Sequence, residues 1–417
     1  MAKLLIKGPA KLSGTIKIAG NKNSVLPIMA ASLLAKDPST IENVPHISDV
    51  AVLAQLLKLT GVETRFHSTS KLTVNPAKVK KVEFPNEFTE KLRASVILIA
   101  PMLARIGYIK MGYPGGDIIG RRPLDTHFQV LEAMGAKVKK EEDYFEVFAD
   151  KLTGAEIFLH EASVTATENA IIAASVATGQ TVIKRAASEP HVVDLCEYLI
   201  KIGAKIEGVG SNVLKITGSE NFYGTTHSIR PDHIEVGTFA ILAAVTKSRL
   251  ELVPVIKEDL DMTLLTLKKF GVKYEIKNNR LYIIPAKLTA IEKVVTDIWP
   301  GFPTDLMAPM IVLATQAEGV TILHDWMYES RMFFVDKLLS MGAKVEIADP
   351  HRVFVYGPTK LHGQKLDTPD IRAGMALVIA ALAASGKSEI DKAELIERGY
   401  ENIVERLSAL GAKVTKI

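Results

Sequence analysis

Cysteine is almost missing from this chain. One residue, Cys196, in 417 excludes an internal disulfide and argues against cysteine-built zinc sites. Aromatic residues make up only 6%, and no basic run is interleaved with them. Lys and Arg number 51 against 47 Asp and Glu, a formal charge of +4, so nucleic acid is not an expected partner. Long apolar runs are lacking too. The longest, such as Met375 to Ala384, reach about ten residues, half of what a spanning helix needs, and no membrane insertion is expected. The stretch from Met1 to Lys7 meets Gly8-Pro9 before the apolar core of a secretion signal forms. A cytoplasmic protein follows as the expectation. H-E-x-x-H, the nucleophile elbow and G-x-G-x-x-G are all absent, so no metal centre or dinucleotide cofactor is expected.

What is present is a repeat. Six times a helix-like segment ends in glycine and a short β-prone run follows: Gly61, Gly135, Gly203, Gly271, Gly342 and Gly411. These glycines lie 74, 68, 68, 71 and 69 residues apart. Glycine after a helix suits a left-handed cap, because it has no Cβ to penalise positive φ. Each unit opens with a small-residue helix that is apolar nearly all round: Asn23 to Leu34, Arg93 to Ala104, Thr167 to Ala177, Ile234 to Val245, Asp305 to Ala314 and Ile371 to Ala384. Such helices belong at the centre, with sheets wrapped around them, unlike a Rossmann sheet or TIM barrel. The reading is α/β, with six units of about 70 residues. Features common to all copies are architecture. The lysines after the glycines (Lys137, Lys205, Lys273, Lys344, Lys413) are then solvated strand residues, and Cys196 lies on an apolar helix face.

Features that break the pattern are candidates for chemistry. The segment from Pro114 to Asp125 carries Gly115, Gly116 and Gly120 beside Asp117, Arg121 and Arg122. It nearly matches a P-loop, but arginines stand where the lysine and hydroxyl belong, so no nucleotide triphosphatase follows. It reads either as a plain glycine-rich loop or as a lid that brings cations to an anion. Lys22-Asn23, Arg93, Asp305 and Arg372 fall at or just before the starts of central helices. Cations there are unfavourable against the helix dipole, which suggests a bound anion. Asp305 and Asp125 could equally be ordinary caps. Arg331 and Arg398 could be surface ion pairs or part of the same anion site. A small polyanionic substrate is implied.

Several segments together resemble the UDP-N-acetylglucosamine 1-carboxyvinyltransferase family of enolpyruvyl transferases. They are Gly20 to Pro27, Arg93-Ala94-Ser95, the Pro-Gly-Gly loop with Arg122-Pro123-Leu124-Asp125, Phe302-Pro303-Thr304-Asp305, Asp370-Ile371-Arg372-Ala373 and Glu397-Arg398-Gly399-Tyr400. The resemblance runs from end to end. It implies an inside-out α/β barrel of two domains, one over residues 22–229 and one over 1–21 plus 230–417, with the substrates in the cleft. The substrates implied are phosphoenolpyruvate and UDP-N-acetylglucosamine, and no cofactor. Lys22, Arg122 and Arg398, beside Asn23, would hold the phosphate of phosphoenolpyruvate, and Arg331 and Arg372 its carboxylate. Asn23, Arg93, Arg122, Pro123, Leu124, Asp125, Thr126, Ser163, Val164, Asp305 and Met327 would line the UDP-sugar site. Asp305 would act as base or orienting group for the acceptor hydroxyl, with Asp117, Lys22 and Arg398 as its catalytic companions.

The chain departs from the family at three places. The family usually has a loop cysteine, alkylated by fosfomycin, where Asp117 stands here. A carboxylate is the poorer nucleophile, so insensitivity to fosfomycin is expected. Ser48 replaces a frequent lysine, and Thr165 replaces the usual glycine after Ser163-Val164. Two other readings stay open: the sibling 5-enolpyruvylshikimate-3-phosphate synthases, and a silent paralogue that binds UDP-sugar. The residues set no oligomeric state.

Overall fold

Six stretches of the chain fold to one plan. The computed structural model describes residues 2–81, 83–116 and 119–417. Among them are six four-stranded sheets, each with a parallel pair at one edge and two antiparallel neighbours beyond it. In one copy Glu156–Phe158 runs parallel to Gln180–Lys184, which pairs antiparallel with Val213–Thr217, and that strand pairs with Lys205–Glu207. The register places Ile157 beside Ile183 and Ile183 opposite Leu214, all buried, while exposed Glu156, Lys215 and Glu207 point the other way. One face of each sheet is therefore apolar and one is wet.

The apolar faces cover central helices Lys22–Ala31, Ile99–Ile106, Val164–Val176, His233–Val245, Met307–Thr315 and Ile371–Ala383. Every residue of His233–Val245 is buried, as its all-round apolar sequence requires. Two of these helices begin later than the sequence suggests. Arg93–Leu98 and Thr304–Leu306 are 3-10 turns, and α-helix follows only at Ile99 and Met307. Pro101 and Pro309 stand at the third α-helical position in each case. There a missing N–H costs no helical hydrogen bond, so α-helices that start at Ile99 and Met307 accommodate their prolines without loss.

The six closing glycines all take positive φ, from +85° at Gly61 and Gly271 to +127° at Gly203. The surroundings differ between copies. A Cβ at Gly203 would lie 2.4 Å from the backbone oxygen of Asn221, whereas one at Gly411 (φ +96°) meets nothing within 4 Å. Gly411→Ala is expected to cost about 1 kcal/mol from backbone strain alone. Gly203→Ala should cost clearly more, because a backbone segment must move. Thermal melting of the two variants side by side checks the order.

The chain divides into two compact units. One joins the segment up to Ala19 with Pro231–Ile417, and the other holds Gly20–Gly116 and Arg122–Arg230. The breaks fall between Ala19 and Gly20 and between Arg230 and Pro231. Ile119 to Arg121 pack with the first unit, although the sequence reading assigns the whole glycine loop to the second. Each unit has its own apolar core. In the first, Met307–Thr315 packs on both His233–Val245 and Ile371–Ala383. Its sheet strand Lys3–Gly8 lies between Gly386–Asp391 and Lys413–Lys416. In the second, Arg93–Leu98 packs on both Lys22–Ala31 and Val164–Val176. No helix among the described residues is long and apolar enough to cross a membrane.

Candidate active site

In the first unit, residues at the starts of the three central helices meet. Asp232 and Asp370 are true caps: the Asp232 carboxylate accepts from the backbone N–H groups of Ile234 and Glu235, and that of Asp370 from those of Arg372 and Ala373. Asp305 is not a cap. Its Oδ1 accepts from Arg331 Nη2 at 3.2 Å, and its Oδ2 lies 2.9 Å from both Nε and Nη2 of Arg372. Of the two roles open to Asp305 from sequence, capping therefore falls away. The arginines are only 3% and 5% exposed, so neither is a surface ion pair.

Burial works against the charge of each guanidinium, but the surrounding groups reverse the outcome. Asp305, Asp370 and Asp325 raise the pKa of Arg331, and Asp305, Tyr400 and Asp232 hold that of Arg372 well above its ordinary value. Asp325 is itself fully buried and accepts from Thr296 Oγ1, Thr304 Oγ1 and the Met327 N–H. The guanidinium of Arg372 also stands 5.3 Å from the centre of the Tyr400 ring. One buried donor on each arginine, Nε of Arg331 and Nη1 of Arg372, has no hydrogen-bond acceptor in the protein. A buried donor left without an acceptor costs about 1–3 kcal/mol, so this arrangement favours an anionic ligand. Arg398 ends the 3-10 turn Ala393–Arg398 in the same unit and is partly buried, as is Met327. Beside them His233 is buried, and burial lowers its pKa to about 4.

In the second unit, Lys22 opens its helix and its Nζ lies 2.7 Å from Asp49 Oδ2. The cap is Asn21, which accepts from the Asn23 N–H. Arg93 does something the sequence did not suggest. Its guanidinium donates to the backbone oxygens of Pro114, Arg122 and Pro123, tying together the two ends of the glycine loop. Arg93 thus has a structural task that its sequence position did not announce. Within the loop Gly116 takes φ +123°, and a Cβ there would sit 2.9 Å from Arg93 Cβ and 3.0 Å from Arg122 Nη2. Only glycine fits. In the first unit, the Arg121 N–H donates to Glu329 Oε1. Asp117 lies outside the described residues.

Further along the second unit, Asp125 opens the helix Asp125–Ala133 and pairs with Lys140 at 3.3 Å. Leu124 and Thr126 are buried and Pro123 is exposed. Ser163 caps Val164–Val176 by accepting from the Ala166 N–H. The atypical Thr165 has a specific partner. Asn169 Oδ1 accepts from the Ala100 N–H, so its amide nitrogen must be the donor to Val96 O and to His127 Nδ1. The proton of His127 then sits on Nε2 and is donated to Thr165 Oγ1 at 3.1 Å. Burial, helped by Arg93, lowers the His127 pKa from 6.5 to about 3.

His127 therefore stays neutral in the folded protein while the unfolded chain takes up a proton below about pH 6.5. Between the two values the unfolded state binds more protons, so stability falls as pH falls. His127→Gln is expected to flatten that acid limb, as read by melting temperatures from pH 6.5 down to about pH 4.

Sequence reasoning found the cations and missed their partners Asp49, Asp325 and Tyr400, which no local pattern distinguishes. The arginines and the lysine that looked unpaired each have a protein partner.

A family model described as EPSP synthase (3-phosphoshikimate 1-carboxyvinyltransferase) matches residues 6–407. The chain is 46% identical over 423 residues to a UDP-N-acetylglucosamine 1-carboxyvinyltransferase from Treponema denticola, covering 99% of each chain. It is also 46% identical over 422 residues to the enzyme of that name from Bradyrhizobium diazoefficiens, covering 99% of this chain and 97% of the other. Among solved structures, the enolpyruvyl transferase NikO from Streptomyces tendae matches with a TM-score of 0.90 at 24% identity, over 100% of this chain and 98% of that one. An EPSP synthase from Acinetobacter baumannii matches over the whole of both chains at 0.77 and 17%. At such identities these two structures speak for the fold, the two-domain enolpyruvyl transferase α/β architecture.

Proposed function

We infer the reaction from one premise: the chain belongs to the EPSP synthase family of enolpyruvyl transferases, among the UDP-N-acetylglucosamine 1-carboxyvinyltransferases. It transfers the enolpyruvyl group of phosphoenolpyruvate to the 3-hydroxyl of UDP-N-acetylglucosamine and releases phosphate, the first committed step of peptidoglycan precursor synthesis. The observation that carries the residue assignment is the pair of nearly buried guanidiniums, Arg331 and Arg372, each with an N–H that no protein atom accepts. They take the carboxylate of phosphoenolpyruvate. Lys22, Arg122 and Arg398, with Asn23 alongside, take its phosphate. Asn23, the run from Arg122 to Thr126, Ser163, Val164, Asp305 and Met327 receive the UDP-sugar, with Arg93 holding the loop in shape. Both sets serve one pair of substrates.

The chemistry is addition followed by elimination. Asp305 removes the proton of the 3-hydroxyl while its oxygen bonds to C2 of phosphoenolpyruvate. Asp117 delivers a proton to C3, giving a tetrahedral intermediate whose anionic groups the guanidiniums stabilise. Loss of the C3 proton then restores the double bond as the C2–O bond to phosphate breaks. Asp117 must carry its proton despite neighbouring Arg121 and Arg122, which favour its ionised form. The negative charges of the substrate supply the opposing push. The cytoplasm is the compartment we assign, in keeping with a single buried thiol.

The test is release of inorganic phosphate from phosphoenolpyruvate with UDP-N-acetylglucosamine, run beside shikimate 3-phosphate. Turnover only with the UDP-sugar is the expected result. Binding of the UDP-sugar without turnover would make the chain a silent paralogue, and turnover with shikimate 3-phosphate would move it to the sibling activity.

A further inference from the structure

Asp305 occupies donors on both of the guanidiniums assigned to the substrate carboxylate. The carboxylate expected to act as base is thus bonded to the very cations expected to bind another carboxylate, at 2.9 Å and 3.2 Å. A carboxylate held between two guanidiniums is a weak base, because both favour its ionised form.

Three observations identify Asp305 as the partner that can yield. The side chain of Asp305 is 28% exposed, against 2% and 6% for those of Arg331 and Arg372. The arginines are held from behind by other groups: Arg331 by the charges of Asp325 and Asp370, and Arg372 by Asp232 and the Tyr400 ring. Each arginine also keeps one N–H with no protein acceptor, so an incoming carboxylate has donors to begin on before Asp305 lets go. Asp232 and His233 also feel the charge of Asp305; burial lowers the His233 pKa to about 4, so that ring adds no cation near pH 7.

We propose that Asp305 is an internal stand-in for the substrate carboxylate: when phosphoenolpyruvate places its carboxylate on Arg331 and Arg372, guanidinium charge is drawn away from Asp305, whose affinity for the acceptor's hydroxyl proton rises. The base is then activated only when the donor substrate is in place. The inference rests on the assignment of these arginines to the carboxylate. Coupling of this kind is reciprocal, so Asp305 weakens phosphoenolpyruvate binding by the factor by which phosphoenolpyruvate weakens its pairing.

The sign of that coupling is unusual and can be measured. The full chain is titrated calorimetrically with phosphoenolpyruvate in the absence of UDP-sugar, so that no turnover occurs. Asp305→Asn and Asp305→Ser are both expected to bind it more tightly than wild type, by about tenfold, although neither turns over once UDP-sugar is added. Inorganic phosphate, which lacks the carboxylate, is expected to bind all three proteins equally. Unfolding curves identify a variant that fails to fold, and the other then carries the comparison. Unchanged or weaker phosphoenolpyruvate binding in the folded variants overturns the proposal. So does equal tightening of phosphate, which would reduce the effect to removal of a nearby negative charge. Failure of wild type to turn over counts against the assigned reaction instead.

Discussion

Arg372→Ala is expected to abolish measurable saturation by phosphoenolpyruvate and to lower the melting temperature in the same protein. Removal of one member of a fully buried ion pair costs about 3–5 kcal/mol, and the loss here should be smaller, because Asp305 is 28% exposed and keeps Arg331. The guanidinium pairs with Asp305 and also lies in the field of Asp232 and over Tyr400, so its removal disturbs all three groups. Arg372→Lys keeps the charge but not the planar fork that reaches Asp305 through both Nε and Nη2. It should recover much of the stability while KM for phosphoenolpyruvate stays raised by more than about tenfold. Steady-state kinetics with melting curves on both variants separate the two effects. A lysine variant with wild-type KM would remove Arg372 from the substrate-binding set.

Asp117→Cys is expected to be inactivated by fosfomycin with time and to carry one covalent adduct. The epoxide needs a nucleophile. A thiolate attacks it far more readily than a carboxylate does, and neighbouring Arg121 and Arg122 favour the thiolate form of a cysteine at this position. The wild type should keep its activity under the same incubation. Its only cysteine, Cys196, is buried, and burial with nearby Glu197 and Glu168 raises the thiol pKa to about 12, leaving it inert. Mass spectrometry of the intact chain reads both proteins. An adduct on wild type, or a cysteine variant that stays active, would contradict the roles given to residue 117.

The architecture was legible for a local reason. A positive-φ glycine, an apolar helix and an alternating strand each carry their own pattern, and six copies repeat it. The two late helix starts were not legible, because apolar residues continue through the 3-10 turns before Ile99 and Met307 and do not distinguish the two helix types. The site was half legible. Lys22, Arg331 and Arg372 stood out by position, yet what each cation does depends on residues brought in by packing: Asp49, Asp325, Tyr400 and the loop carbonyls around Arg93. The hydrogen bond from His127 to Thr165 belongs to this second kind, since its direction follows from an amide on a third segment.

The position of Lys3–Gly8 between Gly386–Asp391 and Lys413–Lys416 bears on how the protein is made. A ribosome delivers this strand long before either of its two sheet neighbours. The unit of Gly20–Gly116 and Arg122–Arg230 has its strands to hand once residue 230 has emerged, and can close while synthesis continues. The strand Lys3–Gly8 must wait, with its edges unpaired, until Gly386–Asp391 and Lys413–Lys416 have been made. Its alternation of Lys3, Leu5 and Lys7 with buried Leu4 and Ile6 places two charges on the waiting strand, a safeguard against pairing with the wrong chain.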